Sequence, residues 1–109
     1  MRFLFAVMAD RNGVVLANIE EMAAIDAFNE KLEAAGQRIL AVGLENPSSA
    51  VVIDNRHGRK RRTAGPVVEA DDFMAGFWLI EVDSAELAHR LAEEASQVCN
   101  RRIEVRAVL

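Results

Sequence analysis

Three carboxylates stand close together in the stretch AGPVVEADDFMAGFWLIEV, residues 64–82. Glu69, Asp71 and Asp72 follow a Gly65-Pro66 turn and run straight into an apolar segment that carries the sole tryptophan, Trp78. Carboxylates in such a place are suited to proton transfer, because an apolar wall and neighbouring like charges turn a carboxylate into a proton acceptor at working pH. Glu69 is the first candidate for a catalytic base, since a rigid Gly-Pro turn upstream can fix its direction. Asp72, nearest the apolar segment, is the second. If directions alternate along an extended segment, Asp71 is left in water, so Glu69 is predicted to face a pocket and Asp71 to face solvent. The plainer alternative is a loop whose acids only keep it solvated.

Other reactive side chains are scattered. The basic run Arg56-His57-Gly58-Arg59-Lys60-Arg61-Arg62 has the charge to meet phosphates, but lacks interleaved aromatics and sits in a chain that is acidic overall. A charged hairpin that discourages edge-to-edge strand pairing is the simpler expectation, and no nucleic-acid partner is predicted. His57 and His89 are far apart in the sequence and only one cysteine is present, so no metal centre is expected. Ser48-Ser49 lacks a nucleophile-elbow context, and Gly43, Gly65 and Gly76 do not form a phosphate-binding loop before a helix. No cofactor is predicted.

The chain has 109 residues, enough for one hydrophobic core and a single domain over 1–109. Hydrophobic residues make up 51% and charged residues 28%, a globular balance, with a net charge of −4. Cys99 has no internal partner, which suits a reducing, cytoplasmic compartment, and it is expected to act as an inert small hydrophobe. Only seven residues separate Arg2 from Asp10, too few for a secretory leader's apolar core, and no apolar run nears the roughly 20 residues of a membrane helix.

Periodicity supplies the elements that must position these groups. RFLFAVM (2–8) reads as a strand apolar on both alternating sets, and QRILAVGL (37–44) as another. Between them Asn18, with Glu21 three residues on, forms a capping box that opens a helix over about 19–35. Its stripe is Met22, Ile25, Phe28, Leu32 and Ala35, and Gly36 closes it. Residues 51–54 and 60–63 form a short hairpin turning at His57-Gly58. Residues 77–82 form a further strand, with Phe77 and Trp78 on opposite faces. Ser84 caps a second helix over 85–98, and 102–108 closes as a strand that alternates cleanly.

With the hairpin set aside, the order βαββαβ predicts an α+β, ferredoxin-like fold with both helices on one face of an antiparallel sheet. Three strands are apolar on both faces, yet two helices cover only one. A second copy related by a two-fold axis is the simplest cover, so a homodimer is predicted.

FNEKLEAAG (28–36), GLENPSSA (43–50), the 64–82 stretch and the ending IEVRAVL together resemble the YCII-related family, in the branch marked by an Asp-Gly-Pro-Phe motif. The resemblance implies a dimeric α+β barrel, in which two ferredoxin-like sheets pack face to face. Relatives in that wider superfamily include cofactor-free enzymes and binding proteins acting on small, often aromatic, compounds. Here the motif reads Ala64-Gly65-Pro66-Val67, losing the acid and the ring, while Glu69 keeps the family's glutamate and Asp71-Asp72 replace its Lys-Glu pair. Another branch carries a His–Asp couple, whereas Phe28 and Asn29 occupy that region here. Two readings stay open: a small-molecule binding or accessory protein, or a cofactor-free lyase or isomerase using Glu69 or Asp72.

Overall fold

The computed structural model describes residues 1–11 and 18–109. In chain order it contains β1 (Arg2–Asp10), α1 (Ile19–Ala34), β2 (Arg38–Gly43), β3 (Val51–Asp54), β4 (Arg61–Ala64), β5 (Asp72–Glu81), α2 (Ala85–Cys99) and β6 (Arg102–Ala107). The main sheet runs β2-β5-β1-β6, and β3 with β4 forms a separate two-stranded hairpin. Every pairing is antiparallel. This is the ferredoxin-like arrangement predicted above, with the sheet of the single chain open rather than closed into a barrel. Among the described residues no helix is long and apolar enough to cross a membrane.

Local chemistry sets the helix ends. The Asn18 side chain accepts from the Glu21 backbone N–H at 2.8 Å, and its own amide approaches the Glu21 carboxylate at 3.4 Å. At the other end of α1, Gly36 takes φ +67°, its N–H donates to the Glu33 carbonyl and the Gln37 N–H to the Leu32 carbonyl. Both bonds of a Schellman cap are therefore made, in the conformation that glycine adopts without penalty. Ser84 caps α2 by accepting from the Leu87 N–H at 3.2 Å.

Most element ends shift by one or two residues from the periodicity, and two starts bear on the site. The strand expected from 77 begins at Asp72, because β1 extends to Asp10 and the two aspartates lie opposite each other in the ladder. Asp72 is thus a strand residue rather than part of a solvated loop. The second hairpin strand starts at Arg61 rather than 60, since Lys60, at φ +51°, still belongs to the turn with His57 and Gly58.

The core lies between the sheet and the helices. Phe3 and Phe5 of β1, Trp78 and Ile80 of β5, Phe28 and Leu32 of α1, and Ala88, Leu91, Ala92 and Ala95 of α2 are all buried. Alanines along α2 let it approach closely. Of the stripe expected on α1, Phe28 and Leu32 are buried, Ile25 is half-buried, and Met22 and Ala35 are exposed.

Directly opposed residues of neighbouring strands share a face. Pairing of Phe5 with Trp78 and Phe3 with Ile80 therefore marks the helix side, while Leu4 with Leu79 and Ala6 with Phe77 marks the other. Leu40 and Val42 continue that other face into β2, where they are 43% and 37% exposed. Trp78 lines the core and Phe77 faces away from it.

The ladder between β1 and β5 steps from Val7–Gly76 to Met8–Met74, leaving Ala75 as the extra residue of a bulge. Beside it the backbones of β5 and β2 come very close: a Cβ on Gly76 would stand 2.5 Å from the Val42 carbonyl oxygen. Only glycine fits there.

Candidate functional site

Where β1 ends and β5 begins, the ladder continues for one more bond: the Arg11 N–H donates to the Asp71 carbonyl at 2.7 Å. That bond fixes the backbone of Arg11, whose guanidinium Nη2 then meets Glu69 Oε2 at 2.9 Å. Glu69 arrives from the opposite direction, on the loop that leaves β4. Gly65 opens this loop at φ +98°, with its N–H held by the Ala50 carbonyl at 2.7 Å. The position of a Cβ on Gly65 lies 3.9 Å from Glu69 Oε1, so the turn runs against the carboxylate.

The ion pair borders a groove of about 400 Å³. Phe73, Met74, Val68 and Pro66 supply apolar lining, and Asn46 and Ser48 add polar groups to it. The Asn46-Pro47-Ser48 wall is a short 3-10 turn, capped by Asn46 Oδ1 accepting from the Ser48 N–H at 2.9 Å. Arg11 and Glu69 keep 54% and 74% of their side chains in water. Such a pair adds about 0–1 kcal/mol to stability, so what it offers is a fixed donor fork and a carboxylate at the groove's edge.

The three acids do not form one cluster. Glu69 lines the groove. Asp71 is exposed and contributes its backbone carbonyl to Arg11. Asp72 binds Arg102 Nη2 at 2.7 Å and belongs to a different cleft, with Met8, Ile103 and Glu104. Sequence reasoning missed Arg11, which lies 58 positions from Glu69 and follows a strand with no motif to mark it. It also missed Asn29, whose Oδ1 accepts from the Trp78 indole N–H at 2.8 Å.

The remaining reactive residues take separate places. Arg56 grips Asp54 with two guanidinium nitrogens, each at 3.0 Å, and this bond holds the Asp54 carboxyl below the usual carboxylate range. His57 lies in the hairpin turn, and His89 is exposed on α2, beside an open cleft against β6. Cys99 is buried, and desolvation pushes its thiol up. Among the described residues no three His, Cys, Asp or Glu side chains gather as metal ligands would.

No curated protein matches the sequence. Among solved structures the fold is similar to that of 5-chloro-2-hydroxyhydroquinone dehydrochlorinase from Burkholderia phenoliruptrix AC1100, in complex with 2,5-dihydroxybenzoquinone. The TM-score is 0.61 at 19% identity, covering 100% of this chain and 94% of that one. The model of the YCII-related domain matches residues 1–109, and with the sheet order and helix placement described above, the chain belongs to the YCII-related domain family.

Proposed function

We propose that the protein binds a small, partly apolar compound in the groove beside Glu69, without a cofactor. The observation that carries this reading is the Arg11–Glu69 pair at the edge of a cavity with apolar walls. Arg11 offers N–H donors to a carbonyl, phenolate or carboxylate oxygen, and Glu69 accepts from a hydroxyl, while Phe73 and Met74 give a flat or aliphatic body something to pack on. Asn46 and Ser48, also lining the groove, add neutral hydrogen-bonding groups. In this reading the working unit is a homodimer, supported by the half-exposed apolar sheet face opposite the helices.

A second reading, a cofactor-free lyase or isomerase, is favoured by one finding: a chain of similar fold is a dehydrochlorinase with a dihydroxybenzoquinone bound. Glu69 would then accept a proton from the ligand while Arg11 stabilises the oxyanion that forms. Asp72, engaged by Arg102 in another cleft, would stay outside that step. Glu69→Gln separates the two readings, because it keeps the shape and removes the base. Calorimetric and NMR titration with small hydroxylated aromatics, aromatic acids and lactones should show binding by the native chain, and binding at least about tenfold weaker for Arg11→Met. Turnover by the native protein that is lost in Glu69→Gln establishes the enzyme. Unchanged binding in both variants would sink the site.

A further inference from the structure

The hairpin of β3 and β4 stands apart from the body of its own chain. Its strands pair only with each other and neither packs closely on the main sheet or on a helix. A single backbone bond at its base, from the Gly65 N–H to the Ala50 carbonyl, closes it. With such an arm the chain has a radius of gyration of 15.8 Å, against about 13 Å for a compact domain of this length. Every residue of β4 is exposed, and Val51 and Ile53 of β3 keep 59% and 62% of their surface in water. A two-stranded hairpin alone is only marginally stable in water, so one that leaves its own valine and isoleucine bare needs cover from elsewhere.

Charge indicates what supplies the cover. Val51 and Ile53 share a face of the hairpin with the residues directly opposite them, Ala64 and Arg62. Arg56 and Arg59 are spent on Asp54, whereas the side chains of Lys60, Arg61 and Arg62 have no ion-pair partner among the described residues. Residues 51–64 hold five basic residues and one acid, a net of +4, so in a chain of net −4 the remaining residues carry −8. The arm is thus complementary in sign to the body of a second copy, a partner always present at equal concentration. It also continues from β2, whose Val42 and Leu44 are exposed on the open sheet face. Two bodies of −8 brought together on that face repel each other, and an arm of +4 laid on each of them offsets the repulsion. Two-fold symmetry gives every body one arm and closes the assembly at two chains.

We propose that the β3–β4 hairpin is an exchanged arm, which lays Val51, Ile53 and the cations of β4 on the acidic body of a second copy. The proposal rests on the homodimer reading above. Replacing residues 51–64 by Asn-Gly, a two-residue turn across the Ala50–Gly65 bond, removes the arm and leaves the sheet face intact. Sedimentation equilibrium should show that this chain dimerises at least about tenfold more weakly than the native one. Salt should act with opposite sign on the two: raising sodium chloride from about 50 to about 500 mM weakens the native dimer, in which unlike charges meet, and strengthens the armless one, in which like charges do. Ile53→Ser and Arg62→Glu change exposed positions, with folding checked by circular dichroism, and each should weaken the native dimer several-fold. Mixed dimers of ¹³C-labelled and unlabelled chains should give intermolecular Overhauser effects to the Val51 and Ile53 methyl groups. A native monomer sinks the homodimer reading and the arm with it. A native dimer whose affinity is unchanged by removal of the arm, with no intermolecular signal at Val51 or Ile53, overturns the arm alone. Growth beyond two chains with concentration, abolished by removal of the arm, would mean head-to-tail linkage and overturns the reciprocal exchange.

Discussion

Asp54 shows how a single side chain can organise a run of positive charge. It accepts from the Arg56 guanidinium and backbone N–H and reaches Arg59 at 3.5 Å, so two of the basic residues in the hairpin are tied to one acid. The Arg56 bond is the main cause of the lowered Asp54 pKa. A carboxyl whose folded value lies below its unfolded one gives stability that is present above the unfolded value, near 3.9, and lost as pH falls through the folded value. Arg56→Gln should bring the Asp54 titration, followed by carbon-detected NMR, back up toward the ordinary range. The stability difference between variant and native protein should then shrink to nothing at the most acidic pH; a constant difference across the titration would show that the pair does not carry it. The Arg11–Glu69 pair was not legible, because a sequence shows which residues carry charge but not which oxygen a guanidinium reaches from 58 positions away.

At the scale of the elements, the two glycines that face each other across β2 and β5 should behave oppositely. Gly76→Ala drives a methyl against the Val42 carbonyl and should cost about 1–3 kcal/mol in denaturant unfolding, whereas Gly43→Ala should leave stability within about 0.5 kcal/mol. Equal losses would mean that the close approach is not what selects glycine at 76. What was readable at this scale was whatever is written locally. Asn18 with Glu21, Gly36, and Ser84 each announce a helix end through side chains within four residues of it, and all three ends fall where those residues put them. What was not readable depends on a distant partner. The start of β5 at Asp72 is set by how far β1 runs, and two aspartates opposite each other give no apolar signal from which to infer a strand. The Ala75 bulge is likewise a property of the pair of strands rather than of either one.

For the whole molecule, the apolar sheet face decides the expected assembly. Leu4, Leu79 and Phe77 are half-buried and Leu40, Val42 and Leu44 are exposed on a face that no helix covers. A second sheet packed on it would remove on the order of 800 Å² from each partner, the size of an ordinary stable interface. Light scattering coupled to size exclusion should give twice the chain mass at micromolar concentration, and Val42→Lys should shift the protein to monomer. A native monomer under those conditions would rule out the sheet-to-sheet homodimer. Alternation of apolar residues on both sides of 2–8 and 37–44 is what made this face visible in the sequence.

The position of β1 in the sheet also has a consequence for synthesis. Both of its neighbours, β5 and β6, come from the last 40 or so residues of the 109. The most apolar strand of the chain is therefore made first and paired last, and until β5 emerges it offers two open edges and Phe3, Phe5 and Met8 to whatever lies nearby. Such delayed, non-local pairing slows folding and leaves nascent chains prone to association. A fragment ending at residue 70 holds β1, α1, β2 and the hairpin but no partner for β1. It should show little ordered structure by circular dichroism and should aggregate or recruit holdase chaperones, while the full chain refolds on dilution. A folded, monomeric fragment would mean that the first 70 residues organise themselves before the partners of β1 exist.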